Sequence, residues 1–387
     1  MHRPTRPLIL SMAVLGISAF SLSAQTPAFS SLSDLSQQSK GRGAVFVMTN
    51  DAKKNEVIAY DRAANGYLTE AERYDTGGRG SGGVTDPLEA QGALTLSQDH
   101  SLLFAANAGS GNVSVFSVRR SNLVLVSKTA SGGSQPVAVA QFNNLVYVLN
   151  SGGAGSVNGF RLDLGAQLKP IKDASAFLTA NVTGGASIAF SPDGRFLLVT
   201  ERLADNIDAF SVKPDGTLGP IVVNANPAPG TFSLSFAPNG KAIVSETGAA
   251  GTNNGSAISS YTVGQDGKLT AVSQSVPALA NANCWNAITP DGKYVYTSNA
   301  GSASISGFAI GKDGSLTPIG STIVGNNPDG STNLDIAVSS DGKYVYTLNS
   351  GTGNIGMFRI EENGALTNLG QAGDLPKMSG FNGIAAL

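Results

Sequence analysis

The sequence predicts an all-β protein: a seven-bladed β-propeller with four antiparallel strands per blade, its ring closed by the C-terminal strand joining blade one. Three observations predict it. A phrase of about 50 residues recurs along the chain, the length of a four-stranded blade with its loops. Glycine supplies 48 of 387 residues while charged residues make up only 13 %, roughly half the usual ~25 %, so turns are plentiful and solvated helix faces scarce. With 41 % hydrophobic residues the chain can bury a substantial core, and its glycines have no three-residue period, which excludes both disorder and a collagen-like chain.

Taken in order, the chain opens with an export signal, expected over residues 1–24. Arg3 and Arg6 precede a largely apolar run at 8–22, and small residues follow at Ser21, Ser23 and Ala24, the pattern of a cleaved secretory peptide. The run is short and diluted by serines, which disfavours a membrane anchor. Residues 25–43, rich in Ser, Gln and Gly, form a linker, and residues 44–387 the propeller. Loss of Arg3 and Arg6 takes the formal charge from −2 to −4, so no cationic field gathers nucleic acid. The expectation is a secreted or periplasmic monomer, with no membrane insertion after signal cleavage. Cys284 is the single cysteine, so no internal disulfide forms and stability must come from packing.

Blade one starts directly with its second strand, 44–49. The clearest full copy of the repeat starts at Ser187: an apolar run, the turn Pro192-Asp193-Gly194, a second run from Phe196 to Thr200, the loop 201–206, a third run from Ile207 to Val212, the turn Pro214-Asp215-Gly216 and a last run at 218–223. Asp-Gly between alternating runs is a hairpin signal. The polar residue ending each second strand marks the blades: Asn50, Asn107, Asn150, Glu201, Glu246, Asn299 and Asn349. Seven markers predict seven blades. The innermost strand that blade one lacks is found at the other end of the chain, where Gly383 to Leu387 matches the innermost runs of other blades, so this strand should close the ring and remove a sheet edge.

Lys343-Tyr344-Val345-Tyr346-Thr347-Leu348-Asn349 and Lys293-Tyr294-Val295-Tyr296-Thr297-Ser298-Asn299 resemble YVTN-type repeats. Ser191-Pro192-Asp193-Gly194-Arg195-Phe196-Leu197 and Lys312-Asp313-Gly314-Ser315-Leu316-Thr317-Pro318 are similar to the seven-bladed lactonase family, which includes 6-phosphogluconolactonases and carboxymuconate-lactonising enzymes. The resemblance covers roughly residues 44–387 and implies the fold and lactone chemistry. Relatives carry histidine and arginine at the head of innermost strands; here those stretches are Gly185-Ala186-Ser187 and Thr231-Phe232-Ser233, and the pair is absent.

A propeller of this order puts the Asp-Gly turns at the bottom and the loops after the markers on top, around the central channel. The one histidine of the exported chain, His100, falls in a bottom turn where other blades use glycine, too far from Cys284 or a top-face serine for a Cys-His or Ser-His mechanism. Candidate catalytic residues are therefore the carboxylates Glu201 and Glu246, which could activate water if burial raised one of them; alternatively both merely take the marker position otherwise held by Asn. Candidate substrate-binding residues are Arg202, Asn283, Cys284, Trp285 and Asp335; Lys53, Lys54, Arg79, Asp86 and Glu89 also fall on the top face, around blades one and two. Trp285 could be a plate for a sugar or flat ring, or a plug filling the channel mouth, and Cys284 a small buried hydrophobe. No metal site and no cofactor is expected; the remaining option is Ca²⁺ held by the oxygen-bearing side chains of Glu201, Glu246, Asn299, Asn349 and Asp335. Two functions stay open: an exported lactonase-like hydrolase or isomerase acting on an unphosphorylated lactone or cyclic acid, or a non-catalytic scaffold that binds a protein, glycan or cell-envelope ligand on its top face.

Overall fold

A computed structural model describes residues 43–180 and 184–387; the expected export signal and the linker up to residue 42 lie outside the described residues. The chain forms seven four-stranded antiparallel sheets. Blade one is built, from the channel outward, of Ile384–Ala386, Gly43–Met48, Glu56–Arg62 and Leu68–Asp75, and the innermost strands of blades two to seven are Leu94–Leu96, Pro136–Phe142, Gly185–Phe190, Thr231–Phe236, Asn283–Ile288 and Asn333–Val338. Among the described residues no helix is long and apolar enough to cross a membrane.

The second strands, such as Tyr344–Asn349 and Phe196–Glu201, are buried along their whole length, whereas outer strands such as Leu68–Asp75 are mostly exposed. Each sheet is packed between two neighbours near the channel, so the inner strands bury both faces and read as continuous apolar runs. The bottom turns explain the recurrent Ser/Thr-x-Asp-Gly phrase. Ser191 Oγ donates to Asp193 Oδ1 (2.6 Å) and accepts from Phe196 N (3.0 Å), and Ser339 with Asp341 repeats the arrangement. The fourth residue is left-handed: Gly194 (φ 70°), Gly292 (φ 69°), Gly342 (φ 69°), and, in blade two, His100 (φ 59°). The sequence expectation that His100 fills a glycine position agrees with this geometry.

The tyrosines of the YVTN-like runs tie blade to blade. Tyr296 Oη donates to Gly364 O (2.8 Å), Tyr346 Oη to Gly66 O (2.9 Å) and Tyr147 Oη to Gly216 O. Each glycine carbonyl belongs to the outer hairpin turn of the following blade.

The ring closes as expected. Val45, Phe46 and Val47 pair with Ala386, Ala385 and Ile384, extended by Met48 N to Gly383 O (3.0 Å) and Leu387 N to Ala44 O (2.7 Å). Arg62, 4 % exposed, clasps the seam. It donates through Nε to Leu387 O (3.1 Å), pairs through Nη2 with Asp341 of blade seven (3.1 Å) and lies over the Tyr344 ring.

Candidate active site at the mouth of the channel

The segment leading into blade two crosses the channel and plugs it. Gln91 N donates to Ala186 O of blade four (2.8 Å), its Nε2 to Asn286 O of blade six (2.8 Å), and its Oε1 accepts from Asn286 N (2.9 Å). Trp285 Nε1 donates to Ala90 O (3.1 Å), and its ring meets Phe232 edge-on at 5.2 Å. With Ala90 and Trp285 both fully buried, the indole is part of the plug rather than an open plate, which decides between the two roles considered for it.

Above the plug, the structure brings together Arg202, Cys284 and Asp335 from the expected binding set and adds Asp86, Glu89 and Asn382. Asp86 (φ 36°) and Glu89 (φ 47°) are both left-handed, and Asp86 Oδ1 accepts from Glu89 N (3.0 Å) and from Asn382 Nδ2 (3.0 Å). These bonds fix the carboxylate at the rim while leaving it partly exposed. Arg202, which follows the second strand of blade four, reaches over the mouth and pairs with Glu89. Burial raises Asp86 to about 7 against the opposing charge of Arg202. Burial also lowers Arg202, which Asp86 partly offsets, and pushes the Cys284 thiol up; a protonated, 7 % exposed thiol packs as an apolar group and is no nucleophile.

Asp335, 3 % exposed, has φ 108°, a strained angle for a residue with a Cβ. Its Oδ1 accepts from Ile336 N (2.8 Å) and its Oδ2 from Ile384 N of the closing strand (3.1 Å). Burial raises it to about 7, and Asp86 adds to the shift. Asp86 and Glu89 thus flank one guanidinium, with Asp335 buried behind Asp86. A carboxylate poised near neutrality beside a fixed cation can exchange a proton with water and have an oxyanion neighbour stabilised.

The other expected residues lie elsewhere. Glu201 and Glu246 have no exposed surface and do not face the channel: they fill blade junctions. Glu201 accepts from Thr179 N (2.8 Å) and Thr179 Oγ1, and Glu246 Oε1 accepts from Ser259 Oγ (2.6 Å) and Asn226 Nδ2 (3.2 Å). Asn107 and Asn299 do equivalent work in blades two and six. Asn283, fully buried, donates to Ala257 O (2.7 Å) across the junction with blade five. The side chains that end the second strands therefore each serve a separate junction and do not converge. Among the described residues no group of three or more His, Cys, Asp or Glu forms a metal-binding cluster. On the bottom face the channel opens into a cavity of about 460 Å³ lined by Phe142, Phe190, Phe236 and uncharged polar side chains; with no titratable group it holds no acid or base.

Asp86 and Asn382 escaped the candidate set because each belongs to an irregular segment with no periodic or turn signal. Only the position of Asp86 on the top face pointed to it.

The model of a family described as "Lactonase, 7-bladed beta-propeller" matches residues 137–284 and 233–333, together about half of the chain. No curated protein matches the sequence significantly. Among solved structures, a candidate 6-phosphogluconolactonase from Bacteroides uniformis is 20 % identical with a TM-score of 0.69, over 90 % of this chain and 100 % of that one. A second candidate 6-phosphogluconolactonase, from Bacteroides fragilis, is 18 % identical, TM-score 0.66, over 90 % and 98 %. The periplasmic gluconolactonase of Pseudomonas aeruginosa is 16 % identical, TM-score 0.66, over 89 % and 99 %. At these identities the likenesses establish the shared fold.

Proposed function

The chain belongs to the seven-bladed β-propeller lactonase family, and from that premise we propose that it is an exported enzyme that opens an unphosphorylated lactone or cyclic ester at the top of its channel. The observation that carries this is Asp86, partly exposed, raised to about 7 and held beside Arg202. In the proposed reaction ionised Asp86 takes a proton from a water whose oxygen attacks the lactone carbonyl. Arg202 stabilises the oxyanion. As the tetrahedral intermediate collapses the ring C–O bond breaks, and the Asp86 proton passes to the leaving alkoxide. The same proton shuttle serves an isomerisation of a cyclic acid. Glu201 and Glu246, buried in junctions, are given no catalytic part here.

Above about pH 7, where Asp86 and Asp335 ionise beside Glu89, the acids at the mouth outnumber its one arginine and favour a neutral substrate over a phosphorylated one, since a like charge at a recessed mouth is repelled. The export signal supports a substrate outside the cytoplasm, and the Pseudomonas relative is described as periplasmic. No cofactor enters the scheme, so chelation of divalent ions should leave turnover unchanged, and a loss on chelation would point to Ca²⁺. The monomer acts alone, without nucleic acid or membrane.

A second reading, a non-catalytic scaffold for a protein, glycan or cell-envelope ligand, is favoured by one feature: an open top-face cavity of about 470 Å³ between residues 247–253 and Asn281. A pH-stat assay of the mature protein against neutral sugar lactones separates the two. Acid release that Asp86→Asn abolishes supports the enzyme; no release from any lactone supports the scaffold.

A further inference from the structure

Glu201 and Asp208 form an acid pair that the proposed reaction does not use. Glu201 ends the second strand of blade four and pairs with Asn206, while Asp208 pairs with Val199, so the two stand two residues apart on neighbouring strands with side chains on one face. Both have no exposed surface. Glu201 is held by Thr179 of blade three. Neither oxygen of Asp208 has a hydrogen-bond donor among the described residues.

Other blades show what this slot ordinarily holds. In blade two Asn107 Nδ2 donates to Ser114 Oγ (2.8 Å), and in blade six Asn299 Nδ2 donates to Ser306 Oγ (2.8 Å). Blade four has replaced a neutral donor and acceptor with two acids, and two carboxylates cannot bond each other without a proton.

Among the described residues no cation compensates. Glu201 is the one charged group acting on Asp208. On the outer strand of the preceding blade Lys169, Lys172 and Asp173 are exposed to solvent. The flanking strands Gly185–Phe190 and Val222–Ala225 carry no charge. Beyond the strand end, Arg202 is paired with Glu89, and Asp205 accepts from Gly230 N and Thr231 N.

We propose that Glu201 and Asp208 share one proton, forming a buried carboxyl–carboxylate bond that stiffens blade four at its junction with blade three and that alkaline pH undoes. Burial and the charge of Glu201 push Asp208 up to about 8. The folded chain therefore retains a proton that the unfolded chain, with Asp near its ordinary ~3.9, has already released. The stability from this proton is full at acid pH and is lost as pH rises through about 8.

Asp86 and Asp335 tilt the pH dependence in the same direction, so the test compares variants. Melting temperatures of the full chain are measured from about pH 5 to about pH 9. The wild type should lose more stability over this range than Asp208→Asn or Asp208→Ser, whose side chains donate to Glu201 without a titrating proton, and both variants should melt above the wild type at the alkaline end. Infrared spectra give a second readout: a protonated-carboxyl band at about pH 7.5 that disappears by about pH 9 and is weaker in Asp208→Asn, which keeps the contributions of Asp86 and Asp335. Parallel melting curves for wild type and variants would overturn the proposal. So would absence of the band, or a wild-type melting temperature that rises at pH 9 on adding Na⁺ or Ca²⁺, which would place a cation where the proton is proposed.

Discussion

Asp86 and Glu246 are both carboxylates raised above their ordinary values, and their surroundings give them opposite prospects. Burial raises each. Glu246, however, is closed in by Ser259 and Asn226 with no exposed surface, whereas Asp86 is only partly buried. A general base must be reached by water, so the pH dependence of catalysis should follow Asp86: kcat/KM for a neutral lactone should rise with pH and level off above about 7 as Asp86 ionises. A profile without that inflection would remove Asp86 from the reaction. Arg202→Ala should lower kcat by about 10²-fold through loss of oxyanion stabilisation, measured by initial rates at saturating lactone. Asp335 belongs to another class of residue. Two backbone amides hold its carboxylate, and one of them belongs to the strand that closes the ring.

At the scale of the element, the tyrosine-to-turn bond is the repeated joint. Tyr346→Phe removes the bond to Gly66 O and should cost about 1 kcal/mol. Gly364→Ala should cost more, about 2 kcal/mol, because Gly364 has φ 81° and an added Cβ would lie 2.6 Å from the Tyr294 ring. Denaturant unfolding of the two variants checks the order. Strands and turns of this kind were legible in the sequence because each carries a local signal: Asp-Gly at a positive φ, tyrosine before the marker, a hydroxyl three residues before the glycine. The site was legible only in part. Arg202 was found because it directly follows a marker. Glu201 and Glu246 were assigned to the channel from their place at a strand end, yet strand-end side chains here turn into the junction, a matter of face that the marker pattern does not record. Trp285 stood out as the single tryptophan, but its role as part of the plug depends on Ala90, almost two hundred residues earlier.

For the whole molecule, closure and site are one construction. The segment before the last strand supplies Asn382 to hold Asp86, the last strand supplies Ile384 to hold Asp335, and Arg62 fastens the final carbonyl to blades one and seven. Deleting residues 384–387 should therefore lower the melting temperature sharply, and Arg62→Ala should cost about 1–3 kcal/mol, less than a fully buried pair because Asp341 keeps partial contact with water. An unchanged melting temperature in the truncated chain would mean that the ring does not depend on its seam. The claim that binds these scales together is that chemistry takes place at the plugged mouth and not in the blade junctions. Its most direct test is kcat/KM for one neutral lactone measured side by side in wild type, Asp86→Asn and Glu246→Gln, with folding of each confirmed by its melting curve. The account predicts a loss of about 10²-fold or more in Asp86→Asn and near-wild-type turnover in Glu246→Gln; turnover that survives in Asp86→Asn and disappears in folded Glu246→Gln would contradict it.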